Sequence, residues 1–119
     1  MLAIKFMFGY IAKCKNDRLQ KMKKMEKEHL RVLSGILKAL SHPTRLWMVE
    51  ELSQKERCVH EFVESSHFDF STVSKHLSVL RQAGIIKDEK RGKNVYYHLH
   101  AHCAMTVINC IKDHMQQSR

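Results

Sequence analysis

Two groups of residues in this chain have types and spacings that could do chemistry, and the chemistry differs. The first is a run of short hydrogen-bonding and cationic side chains, Ser71, Thr72, Ser74, Lys75 and His76, the types that meet base edges and phosphates. The second is Cys103, Cys110 and His114. At spacings of seven and four they fall within about 40° of one another on a helix turning roughly 100° per residue. Two thiols and an imidazole on one stripe suit zinc or a thiophilic metal ion. Cys103 and Cys110 would stand about 10 Å apart along one helix, beyond the roughly 7 Å that an unstrained disulfide spans between Cα atoms, so a bridge would have to cross to a second chain or recruit another cysteine. Each group also has a plainer reading. A Ser/Lys-rich run can be a solvated helix face, and small cysteines can simply pack an interface. The alternating His98, His100 and His102 are read as solvated or near phosphate, because His102 falls past the strand that would align them.

The elements that must hold these residues are legible from periodicity. Phe70, Val73, Leu77 and Leu80 recur at three- and four-residue steps, which predicts a half-buried helix of about four turns with these four inward. Asp69 is placed to cap its start and Gly84 to end it. The polar run then lies on the remaining surface, in the N-terminal half where a recognition helix meets DNA. After Gly84 the period becomes two. Ile85 to Glu89 and Asn94 to Leu99 read as strands, the second with Val95, Tyr97 and Leu99 on one face, and Lys90-Arg91-Gly92-Lys93 is the hairpin tip between them. Lys90, Arg91 and Lys93 form a wing able to neutralise phosphates, and Arg81, late in the helix, joins the DNA-facing set. Upstream, Asp17 to Leu40 is one long helix carrying Leu30, Leu33, Ile36 and Leu37 and stopped by Pro43; Pro43 opens a second helix ending near Gln54, and Cys58 to Ser66 is a short third that buries Val59, Phe62 and Val63. A last helix, His102 to Met115, has the stripe Ala104, Val107, Ile108, Ile111 and Met115; Val107, Ile108 and Ile111, with Leu30, Leu33, Ile36 and Leu37 of the long helix, are expected to be covered by a second copy of the chain. The expected fold class is mainly α with a small β-hairpin, a winged helix-turn-helix.

Composition narrows the partners. The 119 residues suit one domain, 17–119, preceded by an extension, 1–16, expected to be an amphipathic helix that packs on a partner. The formal net charge is +9, which calls for a polyanion. Its distribution is uneven: nine Lys/Arg against three acids in 1–31, two against six in 46–69, and six against two in 70–93. Four cysteines in no compact framework fit a reducing cytoplasm. The apolar start is too short for a membrane span and lacks a small-residue cleavage site. No phosphate loop, nucleophile elbow, His-Glu-x-x-His or Cys-x-x-Cys is present, so an enzyme is not expected. The function classes left are a sequence-specific regulator on double-stranded DNA and a non-specific or architectural nucleic-acid-binding winged helix with structural cysteines.

The phrases "LKALSHPTRLWMVEEL" (37–52), "ERCVHEF" (56–62), "STVSKHLSVLRQAGII" (71–86) and "RGKNVYYHL" (91–99) together resemble the ArsR/SmtB family of winged helix-turn-helix repressors. The resemblance implies a homodimer joined by its first and last helices, binding operator DNA and releasing it when an inducer is sensed. The family's thiol-rich site begins with Cys-Val-Cys at the third helix, where this chain has Cys58-Val59-His60, with Cys14 the one thiol able to join from the N-terminal arm. The family's other site draws Asp, His, His and Glu from the last helix; the matching positions here, Ala101, Cys103, His114 and Gln117, lack both carboxylates.

Overall fold

The computed structural model describes the backbone of residues 2–118 and the side chains of residues 17–118. The chain order is α1 (Leu2–Leu40), α2 (Pro43–Gln54), β1 (Arg57–Cys58), α3 (Val59–Ser65), α4 (Phe70–Gln82), β2 (Ile86–Arg91), β3 (Asn94–Leu99) and α5 (Cys103–Gln117). Helix α1 runs without a break through the boundary expected near residue 16. By packing, the chain divides after Ser34 into a first unit whose described residues are helix alone and a second, from Gly35, that holds the other described elements. No helix among the described residues is long and apolar enough to cross a membrane.

Local chemistry sets the ends of the elements that matter. At α2, Pro43 occupies the first helical turn, where its missing N–H costs nothing, and the His42 imidazole caps the helix by accepting from the Thr44 N–H through Nδ1 at 3.1 Å. At α4, Asp69 accepts from the Thr72 N–H at 3.1 Å. These bonds from Thr72 hold the Asp69 carboxyl below its ordinary range. Its other end closes with two bonds, Ile85 N–H to the Leu80 carbonyl at 3.1 Å and Gly84 N–H to the Arg81 carbonyl at 3.0 Å, around Gly84 at φ +77°. That is the Schellman arrangement, and it brings buried Ile85 back over buried Leu80.

Strands β2 and β3 pair antiparallel from Ile86–Leu99 to Arg91–Asn94, leaving Gly92 and Lys93 as a two-residue tip. Gly92 alone has positive φ, +62°, the requirement of a type II′ turn at its first central position. The expected tip was wider; Lys90 and Arg91 belong to the strand. The sheet also has a third strand, because Arg57 and Cys58 pair with Tyr97 and Tyr96, giving the order β1-β3-β2. Cys58 was expected to begin a helix. A two-residue strand is too short to show a period of two, so nothing in the sequence distinguishes it from the first turn of α3.

One apolar cluster joins these parts: Met48 and Val49 of α2, Phe62 of α3, Val73, Leu77 and Leu80 of α4, Ile85, Ile86 and Leu99 at the root of the hairpin, and Ala104 and Ile108 of α5. Burying each large side chain contributes about 1.5–3 kcal/mol. Two expected positions differ. Phe70 is not in the core with its stripe-mates; it opens α4 and is 53% exposed, because at roughly 100° per residue it stands about 60° round the helix from Val73, at the edge of the stripe. Ile108 is 8% exposed and packs in the core of the chain itself rather than at the expected contact, while Val107, Ile111 and Met115 of the same helix face outward.

Candidate nucleic-acid interface

Helix α4 is fixed by Val73, Leu77 and Leu80, so at roughly 100° per residue the surface directly opposite is Ser71, Lys75, Ser78 and Gln82. Ser71, Lys75 and Gln82 are exposed and Ser78 is half-buried. Thr72 and Ser74 lie half-buried on the two shoulders. Ser78 and Gln82 are not among the residues expected to face DNA, although they continue the same three- and four-residue steps from Ser71 and Lys75; of the C-terminal half of the helix only Arg81 is in that set.

His76 departs from its expected place on that face. It turns toward the start of α2, with its ring 4.5 Å from that of His42 at the centroids and its Nδ1 3.3 Å from Arg45 Nη1. Arginine has no acceptor, so His76 accepts through Nδ1 and carries its proton on Nε2 when neutral. Burial, then the neighbouring His42 and Arg45 charges, push its pKa below the ordinary histidine value. The same Arg45 donates through Nε to the Ala39 carbonyl at the last turn of α1. His76 therefore ties α4 to the α1–α2 corner.

The hairpin is held in place from both ends. Arg81 of α4 pairs with Asp88 of β2 at 3.2 Å. Arg91 makes two bonds to Glu56, at 2.8 and 3.3 Å, and one to Glu89 at 2.9 Å, with its guanidinium 5.3 Å from the Tyr96 ring centroid. The Arg91 bonds hold the Glu56 carboxyl below its usual range, and those carboxylates raise the Arg91 pKa in turn. Of the expected phosphate contacts, Arg81 and Arg91 thus have carboxylate partners, whereas Lys75, Lys90 and Lys93 make no ion pair among the described residues. The arrangement presents a polar helix face and, toward the tip of a hairpin pinned to it, the cations Lys90 and Lys93 without a carboxylate partner among the described residues.

The thiols are dispersed. Cys103 and Cys110 are exposed on α5, as is His114. Cys110 and His114, with Asp113 and Gln117, line a shallow hollow on that helix. Cys58 is buried, its thiol 3.7 Å from Glu61 Oε1, while His60 is exposed with its ring 5.8 Å from that of Phe70. Cys14 lies outside the described side chains. Among the described residues no three His, Cys, Asp or Glu side chains come together as a metal site. The described residues of one chain therefore do not make a closed zinc centre at either expected location.

Against known proteins, the family described as "Bacterial regulatory protein, arsR family" matches residues 42–88, from the cap of α2 through the middle of β2. The HTH-type transcriptional repressor SmtB of Mycobacterium tuberculosis is 38% identical over 76 residues, 64% of this chain and 56% of that protein; the match thus spans little more than half the length of that relative. The transcriptional repressor SmtB homolog of Synechocystis sp. is 30% identical over 94 residues, 79% of this chain and 71% of that protein. Among solved structures, the transcriptional repressor BigR from Xylella fastidiosa superposes with a TM-score of 0.63 at 32% identity, covering 76% of this chain and 91% of that one.

Proposed function

The chain belongs to the ArsR/SmtB family of winged helix regulators, and from that premise we propose that it is a transcriptional repressor that binds operator DNA sequence-specifically as a homodimer. The observation that carries the reading is the face Ser71, Lys75, Ser78 and Gln82, turned away from the core, beside unpaired Lys90 and Lys93 on a hairpin fixed by Arg81–Asp88 and Arg91–Glu56. Hydroxyl, amide and ammonium groups supply the donors and acceptors that base edges require, and the wing cations set register on the backbone without reading sequence. Val107, Ile111 and Met115 supply an outward apolar stripe on α5 for the second copy.

Release from DNA is triggered, in this reading, at the exposed α5 thiols Cys103 and Cys110, by a thiophilic metal ion or by oxidation. Because the described residues of one chain do not close a metal site, a metal held there would draw further ligands from a second copy. The route to DNA is short: Lys112 of α5 pairs with Glu50 of α2, and α2 carries Arg45, which contacts His76 of α4. A shift of α5 would move the helix that holds the reading helix in place. Operator affinity measured during metal titration and during controlled oxidation tests this on wild type, Cys103→Ser/Cys110→Ser and Cys58→Ser. The double variant should lose the response and Cys58→Ser keep it. The reverse pattern would move the sensor to the third helix, and three equal responses would make the cysteines structural.

A further inference from the structure

Phe70 has no structural task equal to its size. A phenylalanine among apolar residues at helical spacing would ordinarily be core, yet this one is 53% exposed at the first position of α4. Side chains on a helix tilt toward its N-terminus, so a ring at the first position projects off the end of the helix. That end belongs to the helix proposed to enter the major groove. The ring is backed on one side by His60 of α3, at 5.8 Å between centroids and 51° between planes, which restricts its orientation while leaving the rest of it open. One residue on is Ser71 and five on is Lys75, both exposed and polar.

Resting on the operator-binding reading above, we propose that Phe70 is a specificity-determining residue that packs against the 5-methyl group of a thymine in each operator half-site. The charge pattern names the occupant. A polar face with cations on its flank matches DNA, and the apolar group that a base pair presents in the major groove is the thymine methyl, against which phenylalanine is a suitable partner. Cytosine offers an amino donor and no methyl there, so the contact distinguishes a T·A pair from a C·G pair without a hydrogen bond.

Deoxyuridine lacks only that methyl, which makes it the direct probe. With an operator selected from random duplexes by the purified full chain, each thymine is replaced in turn by deoxyuridine and the affinity measured for wild type, Phe70→Ala and Phe70→Leu. Removing one buried methyl is worth about 0.8 kcal/mol, close to fourfold in affinity. Wild type should show one thymine per half-site at which the replacement weakens binding about fourfold. Phe70→Ala should bind the thymine and deoxyuridine operators alike, and Phe70→Leu should keep part of the difference. Because Phe70 lies outside the core, the variants should retain the wild-type circular dichroism and a cooperative melt, lowered only modestly by loss of the covered part of the ring. A selected operator with no methyl-sensitive thymine, or an undiminished penalty in Phe70→Ala, overturns the thymine contact and leaves operator binding standing. Failure of the chain to enrich any sequence overturns the operator reading and this contact with it.

Discussion

Two isoleucines three residues apart on α5 separate folding from assembly. Ile111 is 56% exposed and Ile108 is 8% exposed. Full burial of an isoleucine contributes about 1.5–3 kcal/mol, so covering the open half of Ile111 in a dimer is worth about 1–1.5 kcal/mol per copy. A two-fold interface counts each residue twice, giving about 2–3 kcal/mol in all. Ile111→Ala should therefore weaken the dimer dissociation constant about 30- to 150-fold, with a monomer that is still folded. Ile108→Ala removes a core side chain instead and should cost about 2–5 kcal/mol of subunit stability. Ile108→Glu, which by sequence would seem a clean dimer-breaking change, should unfold the subunit because it buries a charge without a partner. Sedimentation equilibrium over a concentration series, with thermal melts of the same samples, distinguishes the two effects. Unchanged self-association of Ile111→Ala would refute an α5 interface, and so would a wild-type chain that stays monomeric at micromolar concentration.

Other outcomes follow from the placed charges. Neutralising Lys93, or Lys90, should weaken binding to all DNA sequences and reduce the salt slope by about one unit, since each is proposed to displace one counterion; a variant with the wild-type slope would place that side chain off the backbone. Arg91→Ala should instead loosen the wing through loss of the Glu56 and Glu89 bonds, seen as faster amide exchange across β2 and β3 in the free protein; identical exchange would contradict that bracing role. The pKa of His76 is lowered on folding, so the unfolded chain binds more protons below about pH 6.5, and the stability this group contributes is present above that value and lost as pH falls through its folded-state pKa. His76→Gln should therefore lose less stability than wild type between pH 7 and 5 in denaturant melts, and parallel curves would remove His76 as the cause.

Much of this fold is written in side-chain chemistry that acts locally. Asp69 and Gly84 bracket α4 where a cap and a left-handed glycine must stand, and Pro43 marks the start of α2. The two-residue strand Arg57–Cys58 is not legible, because it exists only through its pairing with Tyr96 and Tyr97, nearly forty residues away. The site divides in the same way. Lys75 and the wing lysines follow from pattern and charge, while the withdrawal of His76 toward Arg45 and the pairing of Arg91 with Glu56 depend on tertiary neighbours that no local spacing announces. Phe70 is the clearest lesson: helical periodicity assigns it to the buried stripe, but it stands at the stripe's edge and is left 53% exposed.

Selection of random duplexes by the purified chain, followed by footprinting of the enriched sequence, addresses the central claim most directly. Two copies of α4 reading one duplex require an inverted repeat whose half-site centres lie about one helical turn, roughly 34–36 Å, apart. An enriched inverted repeat with that spacing, protected on one face of the DNA, is the predicted result. Equal protection of unrelated sequences, with no repeat enriched, would contradict it and make the protein an architectural binder of nucleic acid.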